Sequence, residues 1–279
     1  MGNSAEPQAQ LTDLLHARYG SSVPQVAAQL NATLSTQLSH KSVRAFVPDA
    51  LADGTLELLV AAAQSAPSSS NLQVWSVIAV QDRARKQRLA TLANDQAHIR
   101  DAPLLLVFLA DLSRTRLLGE RHGAVVAGLD YLDTWLMGII DATLAAQNVV
   151  TAAESLGLGT VYIGALRNKP EQVAAELGLP EEVFPAFGLV IGHPDANKPA
   201  SVKPRLGQGA VLHYEQYQAS GQAEVIKQYD ITMQAFYQAQ GLPQQAWSSH
   251  SLARLAGPQT LGGRDQLVAA ANRLGFALK

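Results

Sequence analysis

The apolar residues of this chain follow two spacings in turn, one typical of helices and the other of strands. Residues 51–66 carry apolar side chains at helical spacing and stop at Pro67, which predicts a helix. Two short apolar runs, at 74–80 and 103–110, are typical of strands, the second buried on both faces. The same reasoning predicts a charged surface helix at 83–92 and further strands at 160–163 and 185–192.

The longest predicted helix spans residues 130–156 and is rich in alanine and free of proline. Its apolar positions run around most of the helix circumference. A helix of this kind belongs in a core or in a subunit interface. Gly157 and Gly159 are expected to end it.

The chain divides by pattern into three parts. Residues 1–39 are predicted to form a helical arm that is interrupted at 20–24, and residues 40–205 form the core. Residues 206–279 are polar, helical and rich in glutamine, and we expect this extension to pack on the core or on a partner subunit. Because helices and strands mix without regular βαβ spacing, the predicted class is α+β.

Composition narrows the possible functions. The 279 residues are 47% hydrophobic and 16% charged, which is typical of a folded globular chain. The formal net charge of −2 provides no basic field for nucleic acid, and the lack of cysteine removes disulfides and thiolate chemistry. We find no secretory signal, and the longest apolar runs are too short to cross a bilayer. We therefore expect a cytoplasmic protein with no membrane or nucleic acid partner.

Two basic segments are candidates for binding phosphate. His40-Lys41-Ser42-Val43-Arg44 places three basic residues and a hydroxyl within five positions. In Lys203-Pro204-Arg205 the proline favours extended backbone, so both cations project to the same side. Taken alone, the first segment is better explained as a solvated cationic loop, and the second is too short to indicate a ligand by itself.

Two further segments have the composition of a ligand site. The serine run in Pro67–Gln73 is rich in short donors and acceptors, which suit either a polar turn or a polyol chain. Gly164, at the end of an apolar strand, either marks a bend or lets the backbone approach a flat ligand.

Several classes of site lack support in the sequence. No histidine pair lies at metal-ligand spacing with a carboxylate, so we expect no metal site. There is no G-x-S-x-G elbow, no Walker loop and no G-x-G-x-x-G motif. Serine hydrolase and common nucleotide-loop chemistry are therefore not predicted.

Taken in order, these segments resemble the nitroreductase superfamily, in the branch of the larger oxygen-insensitive NADPH nitroreductases and NADPH–FMN flavin reductases. The resemblance runs from about His40 to the C-terminus. The motifs that carry it are HKSVRAF, SAPSSSNLQ, AAESLGLGTVYIGALRN, FGLVIGHP and VKPRL. Their order and spacing make a chance likeness implausible.

The resemblance implies a three-layer α+β sandwich, with a central mixed or antiparallel sheet, in an intertwined homodimer with two FMN sites. By position, the FMN phosphate would be held by His40, Ser42, Lys203 and Arg205, with Lys41 beside them. Arg44 would lie near the pyrimidine end of the flavin. The remaining contacts would come from Ser68, Ser69 and Ser70, from Gln96, and from Tyr162, Ile163, Gly164 and Ala165.

The same resemblance implies the reaction. NAD(P)H would reduce FMN at N5 and leave, and an aromatic acceptor such as a nitroaromatic or a quinone would then take the electrons. The flavin carries this chemistry, so no catalytic side chain is required. One alternative is a flavin reductase that releases reduced FMN. Another, of a different class, is a protein that binds flavin without turnover.

Two positions depart from the branch. Lys41 stands where arginine is more usual, which keeps the charge but not the planar guanidinium. The stretch 236–245, where the branch carries arginines for NADPH, has none. Arg264 matches another family arginine near the donor groove, so the choice between NADPH and NADH stays open.

Overall fold

A computed structural model describes residues 5–27 and 29–279. Residues 1–4 and 28 of the predicted arm lie outside the described part. The helices and strands, in chain order, are α1 (Ala5–Tyr19), α2 (Ala32–Leu38), α3 (Thr55–Gln64), β1 (Trp75–Val80), α4 (Arg83–Leu92), α5 (Ala97–Asp101), β2 (Leu104–Asp111), α6 (Ser113–His122), α7 (Leu132–Ser155), β3 (Gly159–Ile163), α8 (Pro170–Leu177), β4 (Val183–Gly192), α9 (Gln222–Ala239), α10 (Trp247–Arg254) and α11 (Leu267–Arg273).

The backbone packs into two units. One joins Met1–Lys41 to Ser201–Thr260, and the other joins Ser42–Ala200 to Leu261–Lys279. The first is called the helical unit and the second the sheet unit.

The sheet unit is built on four strands in the order β1-β2-β4-β3, and every neighbouring pair is antiparallel. The sheet is therefore the antiparallel one of the two types that the resemblance allowed. A parallel pairing occurs at the isolated bridge between Ser42 and Thr160. All residues of β2 are buried, as the apolar run at 103–110 predicted, and all residues of β4 are buried as well.

Helices cover both faces of this sheet. Because successive strand residues point to opposite faces, each strand contributes side chains to two cores. Leu105 and Val107 of β2 face a core that includes Leu89 of α4 and Val173 of α8. Leu104 and Leu106 face the opposite core, which is formed with α3 and α7. The result is a three-layer α+β arrangement, as predicted.

The long helix α7 is buried on one side only. Gly138 lets it approach the sheet closely, since a Cβ there would lie 2.9 Å from the Ala110 Cβ. By length and composition α7 passes for a membrane span, yet 44% of its most apolar window is buried in the structure. A stripe of apolar side chains stays exposed on its other side, at Leu132, Leu136, Ile140 and Leu144.

The helical unit is held by α1, α2, α9 and α10. Tyr229 and Met233 on α9 are buried, and the Tyr229 ring packs edge-on against Trp247 of α10 at 5.6 Å. Gly20 ends α1 with a φ of +60° against Thr232, where a Cβ would lie 2.8 Å from the methyl carbon. The turn after α1 is therefore restricted to glycine both by conformation and by space.

Candidate functional site

Arg18, in the last turn of α1, organises the basic segments of the helical unit. Its side chain is only 7% exposed. Nη1 donates to the Lys203 carbonyl, and Nη2 donates to the carbonyls of Leu38 and His40, each at 2.9 Å. In return, the Arg205 amide donates to the Arg18 carbonyl at 2.8 Å. One buried guanidinium thus brings together the two basic segments that are far apart in sequence.

The Lys203–Arg205 segment is held by hydrogen bonds to its backbone, which leaves the side chains of Lys203 and Arg205 at the surface. The Tyr229 hydroxyl donates to the Pro204 carbonyl at 2.8 Å, and burial raises the pKa of this phenol. The Lys203 ammonium lies 5.6 Å from the Tyr237 ring centroid. Lys203 and Arg205 are both exposed, so their charged groups are accessible from solvent.

In the sheet unit, Val43 fixes the positions of its two neighbours. The Val43 amide donates to the Thr160 carbonyl at 2.9 Å, and the Val43 side chain is buried. Gly159 leaves room for it, because a Cβ there would lie 2.8 Å from the valine. Since alternate residues of an extended segment share a side, Ser42 and Arg44 project outward together, and both are exposed.

The charge of Arg44 acts on its surroundings in the sheet unit. Burial and the Arg44 charge lower the pKa of His98, whose Nε2 is buried and has no partner in the described part of the chain. Within the described residues, the Arg44 guanidinium itself makes no hydrogen bond or ion pair. It therefore remains available to an anionic group at the surface.

Asp141 holds the serine loop in place. This carboxylate, on α7, is 1% exposed. It accepts hydrogen bonds from the Ser68 hydroxyl at 2.6 Å, the Ser69 amide at 3.2 Å and the Val74 amide at 3.3 Å. The Ser68 oxygen also accepts from the Gln73 amide at 2.8 Å. The Ser68 hydroxyl is thus engaged within the loop, which leaves the other two serines as the outward-facing donors.

The loop backbone is strained. Ser70, Asn71 and Gln73 have φ values of 49°, 55° and 51°, in the left-handed region that side chains usually avoid. Each such residue costs on the order of 1 kcal/mol, so the surrounding contacts must hold the conformation. Ser69 and Ser70 of this loop are exposed.

A cavity of about 510 Å³ borders this loop and the edge strand β1, with Ser68, Asn71 and Trp75 in its wall. Arg114 completes the wall and donates to the carbonyls of Gln73 and Trp75 at 3.0 and 2.7 Å. A second cavity, of about 640 Å³, is lined by other residues, including Lys86, and by none of the predicted ones. Only the first is therefore associated with the predicted site.

The end of β3 offers one side chain and a stretch of backbone. Tyr162 is 38% exposed, whereas Ile163 and Ala165 are buried and can contribute only backbone groups to a ligand. The Tyr162 ring packs edge-on against Phe187 at 5.4 Å, and burial raises its pKa, so the phenol stays neutral. Gly164 lies between them and is partly exposed.

Asn168 connects two turns of the sheet unit. The Arg264 Nε donates to the Asn168 Oδ1 at 2.8 Å, and the Asn168 Nδ2 donates to the Asn94 Oδ1 at 3.0 Å. Gly263, with a φ of +92°, packs so closely that a Cβ would lie 2.6 Å from the Asn168 carbonyl oxygen. Asn168 thus couples Arg264 to the turn that precedes Gln96.

Gln96 keeps an acceptor available. Its Nε2 donates to the Ala93 carbonyl at 2.9 Å, and within the described residues nothing donates to its Oε1. An amide oxygen in this position suits a ring N–H donor of a flat heterocycle.

These groups fit flavin mononucleotide by their chemistry. In the helical unit, the exposed cations suit a phosphate dianion, and in the sheet unit Ser42 offers a hydroxyl of the kind that bonds a phosphate oxygen. The ring edge is matched by the Gln96 oxygen and the Arg44 guanidinium, and the ribityl hydroxyls by Ser69 and Ser70. In the described part of the chain no cluster of metal-ligating side chains occurs.

Sequence reasoning missed the residues that hold the site together. Arg18 contacts a carbonyl 185 positions away, and Asp141 contacts a hydroxyl 73 positions away. Asn168 is 96 positions from Arg264. None of these pairs produces a local periodic pattern or a spaced motif. The AAESLGLGTVYIGALRN segment did contain Asn168, but nothing in it indicated the partner.

Comparison with known proteins gives a consistent result. Residues 38–193 match the family described as "Nitroreductase family", and residues 203–279 match "Nitroreductase family, C-terminal domain". The chain is 40% identical over 232 residues to an NADPH-flavin oxidoreductase of Vibrio harveyi, covering 82% of this chain and 92% of that protein. It is 37% identical over 225 residues to an oxygen-insensitive NADPH nitroreductase of Salmonella typhimurium, covering 79% and 90%.

Among solved structures, the fold matches that of B. megaterium NfrA2 with a TM-score of 0.84 at 37% identity. The match covers 90% of this chain and 100% of that chain. These findings confirm both the resemblance and the fold that were predicted from the motifs.

Proposed function

This chain belongs to the nitroreductase family, and we propose that it is an FMN-dependent enzyme that passes electrons from NAD(P)H to small organic acceptors such as nitroaromatics and quinones. The observation that carries this conclusion is the similarity to named reductases over about four fifths of the chain. The exposed groups suited to a phosphate and those suited to the edge of a flavin ring also support this function. The same similarity favours catalysis over flavin binding without turnover.

The proposed phosphate contacts are His40, Lys41, Ser42, Lys203 and Arg205. Arg18 supports them from below by holding the backbone of both basic segments. Because these contacts combine several cations with a hydroxyl, they are expected to bind FMN more tightly than riboflavin, which lacks the phosphate.

The proposed ring contacts come from the sheet unit. Gln96 would accept a hydrogen bond from the ring, Arg44 would provide a cation, and the backbone of Gly164 and Ala165 would contact the ring. Bound FMN supplies two-electron transfer at N5, and the chain supplies position and charge. Tyr162, neutral and packed on Phe187, gives the site a rigid aromatic wall.

A second candidate function is favoured by the relatives themselves. The Vibrio harveyi relative is named an NADPH-flavin oxidoreductase, and a Bacillus subtilis relative with 37% identity is named an FMN reductase. Free FMN as the acceptor is therefore supported as well as a nitroaromatic. Steady-state rates with added FMN and with a quinone, compared as kcat/KM, separate the two functions.

The electron donor is either NADPH or NADH. Residues 236–245 contain no arginine, so this stretch lacks the guanidinium that a 2′-phosphate prefers. Gln240, at the end of α9, accepts from the Ser201 hydroxyl at 3.0 Å. We propose Arg264 as a donor-binding residue, positioned by Asn168. Use of reduced pyridine nucleotide supports a cytoplasmic location.

We also propose a homodimer. The exposed stripe on α7 repeats every four residues, and its members Leu132, Leu136, Ile140 and Leu144 are 51%, 47%, 47% and 38% exposed. An apolar helix face of this length is expected to be covered by a partner. A second copy presents the same stripe, as a two-fold interface requires. Ile140→Glu should convert the dimer to a monomer in light scattering.

The first experiment is the absorption spectrum of the purified protein, followed by identification of the released chromophore. A yellow protein that releases about one FMN per chain and is bleached anaerobically by NADH or NADPH supports the function. A protein that fails to take up added FMN refutes it. Bound flavin that neither nucleotide bleaches would support the non-catalytic alternative instead.

A further inference from the structure

Arg167 lies in the turn that follows β3, directly beside the backbone proposed to line the flavin ring. The Nη1 atom donates to the Ala186 carbonyl at 2.5 Å. A Cβ at Gly164 would lie 3.3 Å from Nη2 and 3.9 Å from Cζ. The guanidinium therefore packs against Gly164, where any side chain would press on it.

No described residue neutralises the charge of Arg167. In the part of the chain that the structure describes, no carboxylate oxygen lies within ion-pair distance of this guanidinium. Burial alone lowers its pKa, with no contribution from a neighbouring charge. Arginine nevertheless stays protonated in proteins, so a positive charge is present in a half-buried position.

A half-buried guanidinium without a carboxylate partner lowers the stability of the fold. Partly buried cations are usually paired, because desolvation of an unpaired charge is unfavourable. Elsewhere in the same unit, Arg116 is paired with both Glu182 and Asp130. The hydrogen bond to Ala186 needs only a neutral donor. The positive charge of Arg167 is therefore suited to an anionic partner that is not part of the protein.

We propose that Arg167 raises the reduction potential of the flavin in this enzyme, an inference that rests on the proposed function. Transfer of a hydride from NAD(P)H moves two electrons and one proton to FMN, so the bound cofactor gains one negative charge while the donor becomes NAD(P)⁺. The Arg167 cation, behind Gly164, stabilises that charge through the low-dielectric interior. Arg167 binds oxidised FMN only weakly by comparison, because the oxidised ring is neutral.

The test uses purified holoenzyme with Arg167→Gln, Arg167→Met and Arg167→Lys. Arg83→Gln is the matched control, since Arg83 is an exposed arginine on α4 in the same unit. The midpoint potential is measured by dye-coupled spectroelectrochemistry, and the affinity for oxidised FMN by fluorescence titration of apoprotein. Circular dichroism verifies the fold, and either folded neutral variant decides the outcome.

The affinity for reduced FMN, divided by the affinity for oxidised FMN, should be about tenfold lower in the neutral variants than in the parent protein. For a two-electron couple this corresponds to a midpoint potential lower by about 30 mV. The affinity for oxidised FMN should change by less than about threefold. Arg167→Lys and Arg83→Gln should keep the parent potential.

An unchanged midpoint potential in a folded neutral variant overturns the proposal. A fall in the midpoint potential of Arg167→Lys that equals the fall in the neutral variants overturns it as well. Either result would assign Arg167 a packing role. Failure of the parent apoprotein to bind FMN would instead refute the proposed function itself, so the two failures are distinguishable.

Discussion

Replacing Asp141 with asparagine tests whether one buried carboxylate holds the serine loop. In the structure Asp141 accepts three hydrogen bonds, from the Ser68 hydroxyl and from the amides of Ser69 and Val74. An asparagine keeps one acceptor oxygen, which can still serve Ser69. Its NH₂ group then faces the Val74 amide, and that buried donor loses its acceptor.

The magnitude follows from these contacts. A buried amide without an acceptor costs about 1–3 kcal/mol, and replacing charged by neutral hydrogen bonds costs about 1 kcal/mol more. We therefore expect Asp141→Asn to lower the free energy of unfolding by about 2–4 kcal/mol. The strained residues Ser70 and Asn71 are then no longer held, so FMN affinity should fall by about tenfold, equivalent to about 1.4 kcal/mol.

Urea denaturation of the apoprotein measures the first effect, and fluorescence titration with FMN measures the second. Asp133→Asn is the control, because Asp133 lies exposed in the first turn of the same helix. It should cost about 0.5 kcal/mol through its interaction with the helix N-terminus. If Asp141→Asn costs no more than this control, the loop does not depend on the carboxylate and the reasoning is wrong.

Three further substitutions test other parts of the site. Arg18→Met removes three hydrogen bonds to carbonyls and should lower the free energy of unfolding by about 3 kcal/mol. It should also reduce the preference for FMN over riboflavin in binding titrations. An unchanged preference would show that Arg18 does not support the phosphate contacts. Asn168→Ala should raise the KM for NAD(P)H about fivefold with little change in kcat, because Arg264 loses its support; a fall in kcat alone would contradict this role. Gln240→Arg should increase kcat/KM for NADPH relative to NADH by about tenfold, equivalent to about 1.4 kcal/mol, and an unchanged ratio would show that the donor phosphate binds elsewhere.

Much of the sheet unit was predictable from the sequence. Continuous apolar runs mark β2 and β4 because both faces of these strands are covered by helices. The long apolar helix was predicted within two residues of α7, since apolar residues recurred along its whole length. Local periodicity suffices where a single element buries its own side chains.

The candidate ligand residues were also accessible to sequence reasoning, because they lie in short motifs in a recognisable order. His40, Ser42 and Arg44 occupy one segment, and Lys203 and Arg205 another. The family matches over residues 38–193 and 203–279 confirm the family that these motifs indicated. The motifs indicated which residues are candidates for binding a ligand, although not what holds each of them in place.

Only the tertiary structure decided the supporting interactions. Arg18 contacts a carbonyl 185 residues away, Asp141 reaches the serine loop from α7, and Arg167 packs against Gly164 with no carboxylate partner among the described residues. Each depends on which distant backbone groups come within about 3 Å of a side chain, and a hydrogen bond of that range leaves no periodic signal in the sequence. By itself, the sequence determined the four strands, the helices α3, α4 and α7 and the candidate ligand residues of this protein, because those follow from local pattern and motif. The positions and charges around the site required the folded chain, because they arise from contacts between distant segments.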